Sequence, residues 1–373
     1  MKPKKLLVVG DFISGSGLTQ FIFNMFPHFD TNKFNIQCVG YGIDPKDETK
    51  KKCEELGWQL DRVIPITKKP LHHIRWWKKF FKENHFDIIY FNYSSSWNYF
   101  PIQYAKRYTN AKIVCHSHNS YYSHVFSNRI LMSILDGLNN RGKRIFNKDA
   151  DVKIATSEDS ALWMFNTLKD VTVVDNGIEL NDFKFDNIAR KKLRNKLKIS
   201  SSEKLIGFAG VLQERKNPIF ALQVFAKYLK KEPNSTLLII GKGPLKDRIN
   251  QLVSILGIEE KVKFISYTSN LNKLYSAMDI LIFPSLYEGF GLVPLEAQVS
   301  NLLVLASNKV APQVFVTENI KKIDNFDKKN WVQILEKSKC KTNNERAILN
   351  SLLYKFDVEK QAAQISSLLE SES

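Results

Sequence analysis

Short apolar runs alternate with stretches of helical period along this 373-residue chain, and that alternation restricts the fold more than any other feature. KKLLVVGDF precedes the periodic segment LTQFIFNMFPHF. NIQCVGYG, a polar helix around DETKKKCEELGW and the strand RVIPI follow. LHHIRWWKKFFKENH leads into FDIIYFN, IQYAKRYTNA into KIVCHSH, and VKIATS precedes SALWMFNTL and VTVVDNG. Beyond a charged connector, ELNDFKFDNIARKKLRNKLKISSSEK, the order resumes with LIGFAGV, then PIFALQVFAKYLKKEP, TLLIIGKGP, LKDRINQLVSILGI, VKFIS, NLNKLYSAM and DILIFPS. Strands separated by helix-length crossovers pair in parallel, with helices on both faces of the sheet. The pattern predicts an α/β chain of two doubly wound domains, residues 1–177 and 178–354. The hinge falls at Asn176–Gly177, where polar turn residues end a strand. A final amphipathic helix, about 355–373, either caps the second domain or packs back on the first.

Length alone favours two cores over one. With 43% hydrophobic and 25% charged residues, the composition is that of a globular enzyme. No apolar run approaches the roughly 20 residues of a membrane span. MKPKKLLVVGDF is basic and then apolar, but too short for a signal peptide, and Asp11 interrupts it. Four cysteines without metal-like spacing suit a reducing cytoplasm. The net charge of +17 is spread over both halves. It admits a phosphorylated substrate or an anionic membrane as partner. Without a zinc-finger or RNA-binding signature, nucleic acid is not expected.

The densest motif is SLYEGFGLVPLEAQ, residues 285–298. Glu288 and Glu296 stand eight apart around Gly289 and Gly291, and LVPLEAQ opens a helix. Strand, glycine turn and helix N-terminus leave backbone N–H groups free for an anion, while carboxylates can grip sugar hydroxyls. One site can therefore hold a phosphorylated sugar. FAGVLQERKNP places Gly210 at a strand end, then Arg215 and Lys216; the plain alternative is two surface cations before a helix. GKGP, with Gly241 and Gly243, is either a phosphate turn or a tight strand-to-helix loop. KIVCHSHNS ends a strand with His116 and His118, two apart and so on one strand face. SGSGLTQF carries Gly15 and Gly17 but lacks the third glycine of a dinucleotide fingerprint, Gln20 standing there; NAD is not expected.

Together these segments resemble glycosyltransferase family 4, with its GT-B architecture of two facing Rossmann-like domains and an interdomain cleft. HSHNS and SALWMF are similar to the branch that builds bacterial capsular polysaccharides and exopolysaccharides. The resemblance implies a retaining, metal-independent hexosyltransferase that moves a sugar from a nucleotide-sugar, a UDP-sugar, to a saccharide on a polyprenyl diphosphate carrier. It implies that Glu288 and His118 serve catalysis. It implies that Gly210, Arg215, Lys216, Gly241, Gly243, Gly289, Phe290, Gly291, Leu292 and Glu296 bind the donor, Glu296 through the ribose. Gly15, Gly17, His116, Asn176 and Gly177 fall on the acceptor side and cleft. The family places an arginine directly after Gly210. Val211 stands there instead, and Arg215 is expected to supply that charge. No metal or cofactor is expected, and Asp149-Ala150-Asp151 is read as structural. The Arg75–Lys82 region interleaves aromatic and basic residues, either as a buried domain helix or as a contact to an anionic membrane. The second reading makes the protein cytoplasmic and peripheral on the inner face of the cell membrane. Two rival functions are a GT-B nucleotide-sugar epimerase and a non-catalytic GT-B partner of another transferase.

Overall fold

A computed structural model describes residues 2–122, 128–266, 268 and 270–371. The chain forms two compact units, one of residues 1–177 with 358–373, the other of residues 178–357. The first holds a seven-stranded sheet: β1 Lys4–Gly10, β2 Phe34–Gly40, β3 Gln59–Arg62, β4 Ile88–Tyr93, β5 Lys112–Ser117, β6 Val152–Ala155 and β7 Val171–Val173. The second holds six strands: β8 Lys204–Ala209, β9 Ser235–Ile240, β10 Val262–Ile265, β11 Ile280–Phe283, β12 Leu303–Ser307 and β13 Ile320–Ile323. Spatial orders are β3-β2-β1-β4-β5-β6-β7 and β10-β9-β8-β11-β12-β13, with all pairings parallel. This is the doubly wound α/β arrangement in both units. The strand order reverses between β1 and β4, and again between β8 and β11. The crevice beyond the carboxyl ends of the strands at such a reversal is where open α/β sheets bind ligands.

Burial on both faces explains why these strands are continuous apolar runs. Leu6 and Val8 enter one core of the first unit, Leu7 and Val9 the other. In β11, Leu281 and Phe283 face one core of the second unit while Ile280 and Ile282 face its opposite. The helix Val358–Glu370 gives Val358, Ala362, Ile365 and Leu369 to a core of the first unit.

Several elements depart from the sequence reading. The third strand ends at Arg62 instead of starting there. The charged connector contains the helix Asn187–Leu197, started by the Asp186 carboxylate accepting from the Ala189 N–H (2.9 Å) and stopped by Lys198 in the left-handed region. Residues 129–149 form a helix, and β12, β13 and the helix Lys328–Lys337 extend the second unit beyond the last predicted strand. In the helix Pro70–Glu83, His73, Trp77, Phe80 and Phe81 are buried, so its interleaved aromatics belong mainly to the core. Arg75, Lys78, Lys79 and Lys82 form its exposed face.

Candidate functional site

In the second unit the charged motif residues gather at the order reversal, on the loops that follow β8 and β11. Gly210 follows β8 directly with φ +148°, and a single 3-10 turn, Glu214–Lys216, brings two cations round before the helix Pro218–Leu229. The loop after β11 is held through its backbone on two sides: the Leu286 N–H donates to the Arg215 carbonyl of this turn (2.8 Å), and the Glu288 N–H to the Lys309 carbonyl just beyond β12 (3.1 Å). The loop thereby aims Glu288 at both cations. Lys216 Nζ reaches Glu288 Oε1 at 2.5 Å and Arg215 NH1 reaches Oε2 at 3.0 Å, with all three side chains 15% exposed or less. Arg215 Nε is buried too and finds no acceptor among the described residues. Val211 is 39% exposed, while Arg215 shares the carboxylate with Lys216.

The electrostatics follow from that triad. Burial works to raise the Glu288 carboxyl, but Lys216 and then Arg215 outweigh it and hold the carboxyl below its ordinary range. Burial likewise holds the Lys216 ammonium below its usual range, with Glu288 opposing. Glu296 lies one helix turn further, on Leu292–Val299. Its Oε2 accepts from Tyr275 O–H at 2.8 Å. Burial pushes its carboxyl up to about 7, against the Tyr275 hydrogen bond and the Lys216 charge.

Three glycines keep the backbone close here. Gly291 caps that helix at φ +114°, where a side chain would be strained. A Cβ on Gly241 would lie 1.9 Å from the Gly210 carbonyl oxygen, and one on Gly243 2.5 Å from that of Leu212. Gly289 and Phe290 are buried beside Glu288, and Leu292 is half-buried at the helix start. The result is a wall in which two buried cations from the loop after β8 meet a helix N-terminus and two carboxylates from the segment after β11. Such a wall can hold a diphosphate and, beside it, sugar hydroxyls.

In the first unit a carboxylate, an amide and two histidines gather at the ends of β1, β4 and β5. Asp11 accepts from Ser16 Oγ (2.5 Å) and Thr19 Oγ1 (2.6 Å), folding the loop that presents Gly15 and Gly17. A Cβ on either glycine would meet open space. His116 and His118 lie side by side, ring centroids 4.1 Å apart, with Phe21 against both. Asn92, in β4, donates from its amide to the Val9 carbonyl (3.2 Å), so its Oδ1 is left to accept from His118 Nε2 (3.0 Å). That fixes His118 as the Nε2–H tautomer and leaves Nδ1 as an acceptor. Burial lowers the His118 imidazole to about 3 and pulls His116 well below its ordinary value, so both rings are neutral. His116 Nδ1 meets Tyr90 O–H at 2.8 Å.

Family models match both halves. Residues 15–182 match Glycosyltransferase Family 4, and residues 189–339 match Glycosyl transferases group 1. The chain carries the two domains of a family 4-type glycosyltransferase. It is 25% identical to the putative glycosyltransferase EpsF of Bacillus subtilis over 320 residues, covering 83% of this chain and 81% of that protein. It is 33% identical over 150 residues to the uncharacterized glycosyltransferase MJ1607 of Methanocaldococcus jannaschii, a match that takes in 39% of this chain and only 38% of the relative's length. The Anabaena protein Alr3699/HepE, solved in complex with UDP-glucose, has the same fold: TM-score 0.79 over 99% of this chain and 100% of that one, at 19% identity.

The structure therefore brings Arg215, Lys216, Glu288, Gly289, Phe290, Gly291, Leu292 and Glu296 into one region, with Gly210, Gly241 and Gly243 on neighbouring turns. Asn176 and Gly177 pack under the last helix. The Gly177 N–H donates to Gln361 Oε1 (2.9 Å), and a Cβ on Gly177 would lie 2.5 Å from Val358 Cα. The Asp151 carboxylate is taken up by Lys106 Nζ (2.6 Å) and the Ile113 N–H (2.8 Å). Two contributors escaped the sequence reading. Tyr275 lies mid-helix with no motif of its own. Asn92 carried a usable signal, an amide inside the otherwise apolar or aromatic strand IIYFNY.

Proposed function

We propose that this chain is a retaining glycosyltransferase that moves a sugar from a UDP-sugar to a saccharide carried on polyprenyl diphosphate, in the assembly of a cell-surface polysaccharide. The observation that carries the reading is the buried triad of Glu288, Lys216 and Arg215, set before a helix N-terminus with Glu296 eight residues on. A departing nucleoside diphosphate gains negative charge as the glycosidic bond breaks. Pre-set cations and N–H groups stabilise that charge without having to reorganise. In the free protein Glu288 pairs with both cations and leaves one positive charge in excess. An arriving diphosphate competes for them, and the displaced carboxylate turns to the sugar hydroxyls. Glu296 takes a ribose hydroxyl on the oxygen that Tyr275 leaves open. The donor's leaving diphosphate then assists attack on the same face, which keeps the anomeric configuration. The UDP preference draws on the UDP-glucose held by the Anabaena protein of the same fold. The polysaccharide role draws on the HSHNS and SALWMF segments.

A thermal-shift panel of UDP, GDP, ADP and their sugar conjugates tests the donor, since a ligand of the folded state must raise its melting temperature. Stabilisation by UDP and a UDP-sugar, lost in Lys216→Ala, is the expected result. A folded sample indifferent to every nucleotide would overturn the reading. So would an epimerised sugar nucleotide formed from the donor alone. Product anomericity by NMR decides retention.

A further inference from the structure

The helix Arg129–Asp149, at 21 residues the longest among those described, is seated by one side of its middle and C-terminal turns. Asn139, Gly142 and Phe146 are buried. Asn139 Oδ1 accepts from the Ser96 N–H (2.9 Å), and Ser96 Oγ donates to the Asn139 carbonyl (3.0 Å). A Cβ on Gly142 would fall 1.8 Å from the Ser96 carbonyl oxygen, so helix and loop meet backbone to backbone. Tyr122 O–H donates to Asp136 Oδ1 at 2.9 Å. These contacts fix which side of the helix turns outward.

The outward side is apolar where solvent would favour polar residues. Ile130 is 72% exposed, Leu131 48%, Ile134 56% and Leu138 37%. Residues 130, 134 and 138 are spaced by four and form one stripe along the helix. No other helix or strand of the described residues exposes more than two large apolar side chains. The same side continues into cations: Arg141 follows Leu138 by three and Ile134 by seven, Lys148 follows Arg141 by seven, and Arg144 flanks them, all exposed. The helix carries five cations and two carboxylates. Of the two carboxylates, Asp136 is engaged by Tyr122 and Asp149 is half-buried.

We propose that this stripe docks the protein on an anionic lipid bilayer, with Ile130, Leu131, Ile134 and Leu138 at the acyl boundary and Arg141, Arg144 and Lys148 among the headgroup phosphates. A contiguous apolar stripe on a charged protein marks a surface that something covers. Charge decides what covers it. A second copy would bring the same cations and the same net +17 against this face, whereas an anionic surface attracts both. No described helix is long and apolar enough to cross a membrane, so the helix lies in the interface plane. The helix Pro70–Glu83 is the poorer surface, because it spends most of its aromatics on the core. The inference stands on these contacts and does not depend on which sugar is transferred.

Flotation of the full chain with vesicles of phosphatidylcholine, alone or with about a third phosphatidylglycerol, tests it. The protein should float with the anionic vesicles only, and less so at high salt. Ile134→Glu with Leu138→Glu should weaken partitioning on the order of tenfold or more. Arg141→Glu with Lys148→Glu should act in the same direction. Lys78→Glu with Lys79→Glu, on the other helix, should leave it within about twofold. A melting curve matching the parent's shows that a variant is folded; should the first pair fail that check, Ile130→Ser with Leu131→Ser replaces it. Three results overturn the proposal: no flotation of the parent with anionic vesicles, undiminished flotation of the folded apolar-stripe variant, or a loss with the Lys78 and Lys79 pair that equals or exceeds it. Self-association in sedimentation that the stripe variant abolishes, without vesicle binding, would assign the face to a second copy instead.

Discussion

At Glu296 stability and ligand binding pull in opposite directions. Its carboxyl rises from an ordinary 4.5 to about 7 on folding, with burial the chief cause. Between those two values the folded state holds a proton that the unfolded state has lost. Stability from this group is therefore full at the acid end, falls as pH climbs towards 7, and stays low above it. Glu296→Gln removes the penalty. The variant should melt higher than the parent at about pH 8, by up to roughly 3 kcal/mol, with little gain at about pH 5. Equal melting at both pH values would mean that the carboxyl is not held neutral. A ribose hydroxyl donates best to the ionised form, so UDP affinity in the parent should improve as pH rises through 7 and stay flat in the glutamine variant. Calorimetric titration at several pH values checks this. Lys216 acts on the same region through its charge. Lys216→Ala should lower turnover on the order of 10²-fold, as losses of a group that stabilises developing charge do. Near-normal turnover in a folded variant would remove Lys216 from the leaving-group role.

The helix Asn187–Leu197 shows at the element scale how a charged segment becomes structural. Arg190 NH2 and Arg194 NH1 bind the two oxygens of Asp279 at 2.6 and 3.0 Å, and Asp279 also accepts from the Leu205 N–H at the start of β8 (2.8 Å). Arg194 is almost fully buried. Asp279→Ala leaves it there without its carboxylate and should cost about 3–5 kcal/mol in urea unfolding of the second unit. A cost under about 1 kcal/mol would reduce the pair to the worth of a surface salt bridge. The same helix explains why the sequence reads only in part. β1, β4, β5, β8, β9 and β11 announce themselves because both faces are buried and the runs are mostly apolar. Asn187–Leu197 hides its docking residues among arginines, which score as solvent-facing. Arg129–Asp149 anchors through Asn139 and Gly142, residues that carry no hydrophobic signal, while its apolar stripe faces outward. β13, with Lys321 and Lys322 exposed at the sheet edge, lacks a strand's usual composition. β12 is different: its run is as apolar as that of β11, and nothing physical hid it. In the site, the charges and glycines stood out because they interrupt apolar strands at their ends. Tyr275 and Asn92 matter only through their contacts, Glu296 and His118, and such contacts are tertiary facts that spacing does not encode.

Across the whole molecule, the chain leaves its first unit at Gly177 and returns to it at Val358 for a single helix. That return is held from several sides. Gln361 bonds the Gly177 N–H (2.9 Å) and the Asp175 carbonyl (2.9 Å), Lys33 pairs with Glu370 (2.9 Å), and Lys112 Nζ donates to the Ser371 carbonyl (2.5 Å). Beneath these polar ties Val358, Ala362, Ile365 and Leu369 are buried. Burying a larger aliphatic side chain contributes about 1.5–3 kcal/mol, so removing the helix forfeits an amount comparable with the 5–15 kcal/mol that stabilises a typical domain. A chain ending at Asp357 should therefore lose the folding transition of its first unit while the second keeps its own. Scanning calorimetry should show one transition, and UDP should still raise its temperature, because Lys216, Arg215, Glu288 and Glu296 all lie within residues 178–357. Two intact transitions would mean that the first unit folds without its last helix. A single transition that ignores UDP, in a truncated chain whose full-length parent responds, would mean that nucleotide binding needs residues of the first unit, and would move part of the donor site there.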